Sequence, residues 1–317
     1  MKKLIKVAVQ MDPLDSINIK TDSTYIICIE AQRRGFKLFH YLPSDMSVVG
    51  NKVYAKGTYF NLFHHSKKFF KKRKFQIVDL NSFNFILIRQ DPPFNINYIT
   101  STYLLDMVKR PIILNDPKSI RDNSEKLSML NFKDFIPPTI ITKDIKEFIK
   151  FQKTYKNSII KPLYGNGGYG IEKVSGFKKN QIKKFSRLTD KLNQPIVVQK
   201  FLPEIRFGDR RIILIDGSYV GSVARIPKKG KITANFHTGG TAKKTSLIKR
   251  DSKICKVLGP FLKKNKLFFA GIDVIGNYLT EINVTSPTGI QEINRLNNCS
   301  IEKIFWDKAT AMLGRGN

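Results

Sequence analysis

Near its C-terminal end the chain carries three oxygen-bearing side chains close together, Asp273, Glu281 and Asn283 in GIDVIGNYLTEINV. Glu281 and Asn283 are two apart on an extended segment, so they share one face. Asp273 lies on the other side of a turn at Gly276-Asn277. A two-residue turn would pair Asp273 with Thr280 and send Glu281 to the opposite face. A three-residue, bulged turn pairs Asp273 with Glu281 and makes all three converge, and this is the expected register. Two carboxylates and an amide oxygen form a hard oxygen site, suited to Mg²⁺ held between protein and phosphates. The plain alternative is salt bridging in a basic chain. The four histidines, His40, His64, His65 and His237, show no zinc-ligand spacing.

A second constellation lies upstream. Gly165, Asn166, Gly167, Gly168, Tyr169 and Gly170 fit G-x-G-x-x-G. The dinucleotide-binding version of that pattern opens a helix, but here IEKVS follows, which reads as a strand. The Gly-Lys-Ser/Thr ending of a P-loop is missing. What remains is strand, glycine loop, strand, a hairpin whose backbone N–H groups can approach phosphate oxygens. The alternative is a flexible turn. Protein kinases share this geometry, but the chain has no HRD or DFG segment. Lys161 sits in SIIKPL on the strand entering the loop, among apolar neighbours, and needs an anionic partner there. Lys126 in NSEKL reads as the first turn of a helix. Residues 227–244 (PKKGKITANFHTGGTAKK) hold two lysine pairs and little that could form a core. A long loop of that kind reads as a cationic flap over an anionic ligand.

The elements that must position these groups follow an α/β pattern. KLIKVAV, FKLFHYL, FNFILIRQD and RPIILND are short apolar strands. The helix STYIICIEAQRR separates the first two and ends at Gly35. They predict a parallel open sheet over residues 1–122, with ligands at the carboxyl ends of its strands, where Asp12 and Arg89 stand. After a polar segment at residues 115–122 and a helix NSEKLSMLNF, a second α/β unit covers 123–201. A third, residues 202–317, holds a hairpin turning at Asp216-Gly217, the flap, a helix, the acidic hairpin and a C-terminal helix.

Composition narrows the function classes. The chain has 317 residues, with 56 Lys+Arg against 25 Asp+Glu, a net charge of +31. That surplus suits a nucleic-acid binder, yet the lysines are spread along the chain, with local clusters such as KKFFKKRK and no recognition motif beside them. The 3 cysteines are far apart and odd in number, which argues against a disulfide scaffold and for a reducing compartment. No stretch approaches the roughly 18 apolar residues of a membrane span. The N-terminal MKKLIKVAVQMD lacks a cleavage site and reads as a strand. A soluble, cytoplasmic protein is expected.

The order Lys126, Lys161-Pro162-Leu163 with the glycine loop, Gln199 to Leu202, then Asp273 with Glu281-Ile282-Asn283 resembles the ATP-grasp superfamily. Within it, MDPLDSINIKTDST, EAQRRG, RQDPPF, SIRDNSEKL, QKFLP, GDRRIILIDG, ARIP and GIDVIGNYLTEINVTSPTGI are similar to prokaryotic glutathione synthetases, over about residues 7 to 305. The resemblance implies an ATP-grasp fold behind an N-terminal Rossmann-like domain. It also implies ligation of γ-L-glutamyl-L-cysteine and glycine through an acyl phosphate. Lys126 and Lys161 would contact ATP phosphates under Gly165, Asn166, Gly167, Gly168, Tyr169 and Gly170. Gln199, Lys200, Phe201, Leu202 and Asp209 would line the nucleotide pocket. Asp273, Glu281 and Asn283 would hold Mg²⁺, or Mn²⁺ in its place. Arg225, Lys161 and Arg211 would be catalytic. Asp12, Arg89, Arg225, Ser286, Pro287 and Thr288 would bind the peptide, and the assembly would be a homotetramer. The family usually has Asp where Tyr164 stands, and flap arginines near Thr233 and Thr241. A related ATP-grasp ligase acting on glutamate, lysine or D-alanine stays open as an alternative, as more distantly does a nucleic-acid-binding protein.

Overall fold

A computed structural model describes residues 4–64, 68–165, 167–236 and 239–314. Three sheets organise the chain. The first contains β1 (Lys6–Gln10), β2 (Lys37–Val49), β3 (Lys52–Leu62), β4 (Phe70–Asp79), β5 (Phe85–Ile88) and β6 (Ile112–Leu114), in the order β4-β3-β2-β1-β5-β6. Between β2 and β6 all pairings are parallel, as the apolar runs predict. Helix α1 (Ser23–Arg33) starts where Asp22 accepts a hydrogen bond from the Tyr25 N–H and stops before Gly35, whose φ is +81°.

The expectation of an all-parallel sheet is corrected by β3 and β4, which add two antiparallel strands. β4 is an exposed edge strand, FKKRKFQIVD, so it lacks the half-buried alternation that marks a strand in a sequence. Helix α2 (Ile96–Asp106) and the short α3 (Pro117–Asp122) follow β5 and β6. The polar segment 115–122 is not a loose joint: Asn115 Nδ2 donates to the carbonyls of Phe269 and Val284, both at 2.8 Å. NSEKLSMLNF is likewise no α-helix but a turn followed by a 3-10 segment, Ser128–Asn131. Lys126 therefore sits on the turn.

The second sheet is antiparallel, in the order β7-β10-β8-β9. It is built from β7 (Thr139–Thr142), β8 (Asn157–Lys161), β9 (Glu172–Ser175) and β10 (Ile196–Lys200). Helices α4 (Ile145–Tyr155) and α5 (Lys179–Leu192) share its small core through stacked Phe148 and Phe185, ring centroids 4.4 Å apart. β8 and β9 pair directly, so the glycine loop caps a hairpin as expected.

The third sheet runs β13-β12-β11-β14-β15, from β11 (Asp209–Ile215), β12 (Ser218–Ile226), β13 (Thr241–Lys244), β14 (Phe269–Ile275) and β15 (Tyr278–Asn283). Asp216 and Gly217 both have positive φ, the geometry a two-residue hairpin turn demands. β13 shows that the end of the flap segment is a paired strand rather than open loop.

Alternation divides the third sheet's work. Ile212, Leu214, Ile272 and Val274 face helix α6 (Lys249–Lys264) and pack on its Ile254, Leu258 and Leu262. The other face of β11 carries Asp209 and Arg211 at one end and Ile213 and Ile215 at the other. The apolar end packs beneath α7 (Ile290–Asn297) and α8 (Ile301–Leu313), in one core with Val7 and Phe85 of the first sheet. Trp306 ties that core together, its Nε1 donating to the Ile27 carbonyl at 2.8 Å. The C-terminal helix expected from the sequence is thus a pair, divided at residues 298–300.

Candidate active site

The charged end of the third sheet is assembled by register. Arg211 on β11 pairs with Asp273 on β14, and Asp273 pairs with Glu281 on β15. The expected convergence is present, but a different device produces it. The turn holds two residues, Gly276 and Asn277, and Thr280 is an extra residue that bulges between the Val274–Leu279 and Asp273–Glu281 pairs. The bulge leaves the Thr280 carbonyl free to accept from Lys161 Nζ at 3.3 Å.

Charge fills this corner. Lys126 and Lys161, both buried, bring Nζ to 3.7 and 3.8 Å from Glu281 Oε1, and Lys126 also donates to the Gly165 carbonyl. Burial pulls the Lys161 ammonium down to about 8, against the pull of Glu281 upward. Arg211 grips Asp273 with two hydrogen bonds, Nε to Oδ1 at 2.6 Å and Nη2 to Oδ2 at 3.0 Å. Arg225 does the same to Asp209 at 2.7 and 2.6 Å and reaches Asp273 Oδ2 at 2.9 Å. Burial alone would raise the Asp273 carboxyl. The Arg211 and Arg225 guanidiniums outweigh it and hold the group well below the usual carboxylate range.

Two cavities meet here, sharing Glu281 and Asn235. The first is a crevice of about 60 Å³ between the second and third sheets. Gln199, Lys200, Phe201, Leu202, Asp209 and Lys161 line it as expected, together with apolar walls from Ile159, Ile171, Ile205 and Ile275. Ile159 was findable, since it stands two before Lys161 on the same strand face. Residues 232–235 of the flap close the crevice from above. Ligand pockets usually measure hundreds of Å³, so a nucleotide entering here must part flap and sheets.

The second cavity is a chamber of about 390 Å³. Arg211, Arg225, Glu281, Asn283, Ser286, Pro287 and Thr288 line it, with Gly167 and Tyr169 from the glycine loop and Phe236 from the flap. Gly168, at φ +81°, abuts the flap itself: a Cβ there would stand 3.2 Å from Thr233 Cγ2. Gly165 borders a smaller neighbouring pocket, and Gly170 turns back against Pro162. Asn166 lies outside the described residues, as do His65 and His237.

Asp12 and Arg89 do not line the chamber but hold the loops that do. Asp12 Oδ2 accepts from the Asp91 N–H at 2.7 Å. Arg89, buried over the Phe269 ring, donates from Nη2 to the Pro287 carbonyl at 3.0 Å, while Arg211 Nη1 holds the Thr288 carbonyl at 3.2 Å. Among the chamber residues that sequence reasoning missed is Glu125, which borders the chamber beside Thr285. A groove of about 900 Å³ between α3 and the end of α6 lies away from all these residues.

The donor set fits a divalent cation. Asn283 turns its Nδ2 toward Asp273 Oδ2, at 3.3 Å, which leaves its amide oxygen to serve beside the Glu281 and Asp273 carboxylates. A cluster of three or more His, Cys, Asp or Glu is not found among the described residues. The remaining positions around such an ion would have to come from phosphate oxygens and water.

Comparison with known proteins accords with this geometry. The N-terminal domain of prokaryotic glutathione synthetase matches residues 5–121, and its ATP-grasp domain matches residues 125–298. Glutathione synthetase of Agrobacterium fabrum is 40% identical over 308 residues, covering 97% of each chain. That of Buchnera aphidicola is 39% identical, covering 96% of each. Among solved structures, a D-cycloserine synthetase superposes with a TM-score of 0.67 at 11% identity, over 98% of this chain and 99% of the other. The D-alanyl-alanine synthetase A of Vibrio cholerae gives 0.61 at 11%, over 98% of both. At that identity the superpositions speak for the ATP-grasp fold alone. Extent and identity of the sequence matches together show that the chain belongs to the prokaryotic glutathione synthetase family.

Proposed function

We propose that the two joined cavities divide one ligation between them: the crevice takes ATP and the chamber takes the peptide and the amine. The chain is an ATP-dependent carboxylate–amine ligase, which joins γ-L-glutamyl-L-cysteine and glycine to give glutathione, ADP and phosphate. The observation that carries the division is the placement of Glu281, shared by both cavities and facing Lys126 and Lys161.

A carboxylate does not condense with an amine unaided, because its oxygen is a poor leaving group. Transfer of the γ-phosphoryl group to the peptide's C-terminal carboxylate releases ADP and forms an acyl phosphate. The amine then attacks the acyl carbon and phosphate departs. The transfer is highly charged, so the protein's part is positioning and neutralisation rather than covalent chemistry. In our assignment Lys126 and Lys161 bind the phosphates. Gln199, Lys200, Phe201, Leu202 and Asp209 hold base and ribose. Arg211 and Arg225 offset the charge on the carboxyl being activated. Ser286, Pro287 and Thr288 border the peptide, with Arg89 and Asp12 fixing the loops behind it. Asp273, Glu281 and Asn283 would hold Mg²⁺ or Mn²⁺, which neutralises phosphate charge when bound. Thr233 and Asn235 of the flap, against Gly168, exclude water from the intermediate. We assign the assembly as a homotetramer, to be checked by light scattering, and its setting as the cytoplasm. Among the described residues no helix is long and apolar enough to cross a membrane.

The test is ADP release with components omitted one at a time. Release requires ATP, γ-glutamylcysteine and glycine together and stops when EDTA removes divalent cations. Release driven by D-alanine or by a glutamate peptide in place of these substrates overturns the assignment.

A further inference from the structure

Three carboxylates line the chamber: Asp91, Glu125 and Glu281. Glu281 faces two lysines, and Asp91 is exposed at the mouth. Glu125 is the exception. Its Oε1 accepts from Thr285 Oγ1 at 2.8 Å, and its backbone carbonyl accepts from the Ile282 N–H at 3.0 Å. Yet among the described residues no Lys, Arg or His side chain forms an ion pair with it, although its neighbour Lys126 turns away to Glu281 and Gly165. In a chain with 56 Lys+Arg and 25 Asp+Glu, cations are abundant. A half-buried carboxyl with no ion pair, facing a cavity, has only the longer-range pull of Lys126 and Arg211 against the burial that raises it, and a cation arriving from outside would favour its charged form.

The chamber is polarised around it. Arg211 and Arg225 occupy the wall where a carboxyl group is activated, and Glu125 stands in the same lining; burial raises its carboxyl, against the downward pull of Lys126 and Arg211 and the hydrogen bond from Thr285. The hydrogen bond from Ile282, which stands between Glu281 and Asn283, locks Glu125 next to the phosphate end. An amine attacking the acyl carbon must come to rest beside that end, within van der Waals reach of the carbon. The amino group of the γ-glutamyl residue is the length of a dipeptide away from it.

We propose that Glu125 receives the ammonium group of the acceptor amino acid, glycine, and orients its nitrogen toward the acyl phosphate; the nitrogen gives one proton to solvent to expose the lone pair that forms the C–N bond, and a second to the phosphate that departs as the C–O bond breaks. The inference rests on the reading of the chamber as the site of acyl-phosphate formation. Thr285 is then a positioning residue, which fixes the carboxylate through its hydroxyl.

Glu125→Gln keeps the shape and removes the charge. Loss of a charge-assisted contact raises the KM for glycine roughly ten- to a hundred-fold. The KM values for ATP and γ-glutamylcysteine stay within about two-fold. Thr285→Val shifts the glycine KM in the same direction by less, and it serves should the Gln variant fail to fold. Hydroxylamine supplies the discriminating readout, since it is uncharged at neutral pH and intercepts acyl phosphates as hydroxamates. In Glu125→Gln, hydroxamate formation falls far less than glutathione formation at a fixed low glycine concentration. An unchanged glycine KM overturns the proposal, as does an equal rise in the KM for peptide or ATP, or a parallel fall in hydroxamate. A wild-type enzyme that releases ADP without needing γ-glutamylcysteine instead sinks the reading of the chamber itself.

Discussion

Arg225 is where catalysis and stability can be separated. It is 2% exposed and tied to two carboxylates, with both contacts to Asp209 under 2.8 Å and one to Asp273 at 2.9 Å. Arg225→Met leaves Asp273 in the grip of Arg211 but strips Asp209 of its cation. Leaving one buried carboxylate unpaired costs about 3–5 kcal/mol, a large part of a typical domain's stability of about 5–15 kcal/mol. Loss of one donor that stabilises developing charge lowers kcat by about 10²–10³. The single variant shows both effects, so alone it decides nothing. Adding Asp209→Asn removes the stranded charge, and the double variant regains most of the lost stability. Its kcat, compared with that of Asp209→Asn alone, isolates the guanidinium. The assays are urea unfolding for stability and saturating-substrate ADP release at a temperature where all variants are folded. The reasoning fails if the double variant turns over as fast as Asp209→Asn, since Arg225 would then serve only to hold the sheet together.

Lys161 and Gly168 give two further expectations. The folded-state pKa of Lys161, about 8, lies below the ordinary 10.5, so between those values the unfolded chain binds the extra proton. Stability of the ligand-free protein therefore rises with pH across that window, by about 3 kcal/mol, while affinity for ATP falls as the ammonium loses its charge. Lys161→Met removes both slopes, and a slope that persists in the variant belongs to another group. Gly168→Ala meets a left-handed backbone, at a cost of about 1–2 kcal/mol, and places its methyl 3.2 Å from Thr233 Cγ2. With glycine loop and flap unable to close, the KM for ATP rises and ADP is released in excess of glutathione formed. A strict one-to-one ratio in that variant shows that this contact does not seal the site.

The parts of the site that lie on single strands or across one hairpin were readable from residue spacing. Face alternation put Glu281 beside Asn283, and the need of a buried lysine for an anion pointed from Lys161 to a carboxylate, which is Glu281. The convergence of Asp273 was foreseen, but its cause was not, because a bulge at Thr280 and a longer turn give the same pairing. The antiparallel β3 and β4 escaped notice because an exposed, lysine-rich edge strand shows no apolar period. Lys126 was placed on a helix because NSEKLSML has helical spacing, whereas tertiary contacts fold it into a turn whose Glu125 carbonyl pairs with Ile282 on β15. Glu125 itself carries no local signal. What marks it out is the absence of an ion-pair partner among the described residues, and only packing reveals that.

The geometry of the ion pairs divides the cationic residues into two classes. Arg211 and Arg225 hold their carboxylates with paired hydrogen bonds of 2.6 to 3.0 Å, in planes fixed by the guanidinium fork. Lys126 and Lys161 stand 3.7 and 3.8 Å from a single oxygen of Glu281, beyond hydrogen-bonding distance. Each ammonium is also anchored by a backbone carbonyl, Gly165 for Lys126 and Thr280 for Lys161, so its looser contact to Glu281 can be exchanged for another anion at less cost than a bidentate pair. Four buried cations could not share this corner without Asp209, Asp273 and Glu281 to offset them. The carboxylates thus keep the corner assembled, and on the proposed reading phosphate oxygens would take over the lysines. Glu281 is the one of the three that faces both lysines, and on the proposed reading its oxygen would then be available to a divalent cation. The arginines meanwhile stay in register with the strands that carry them, and the chamber wall they form keeps its shape while the lysines change partners.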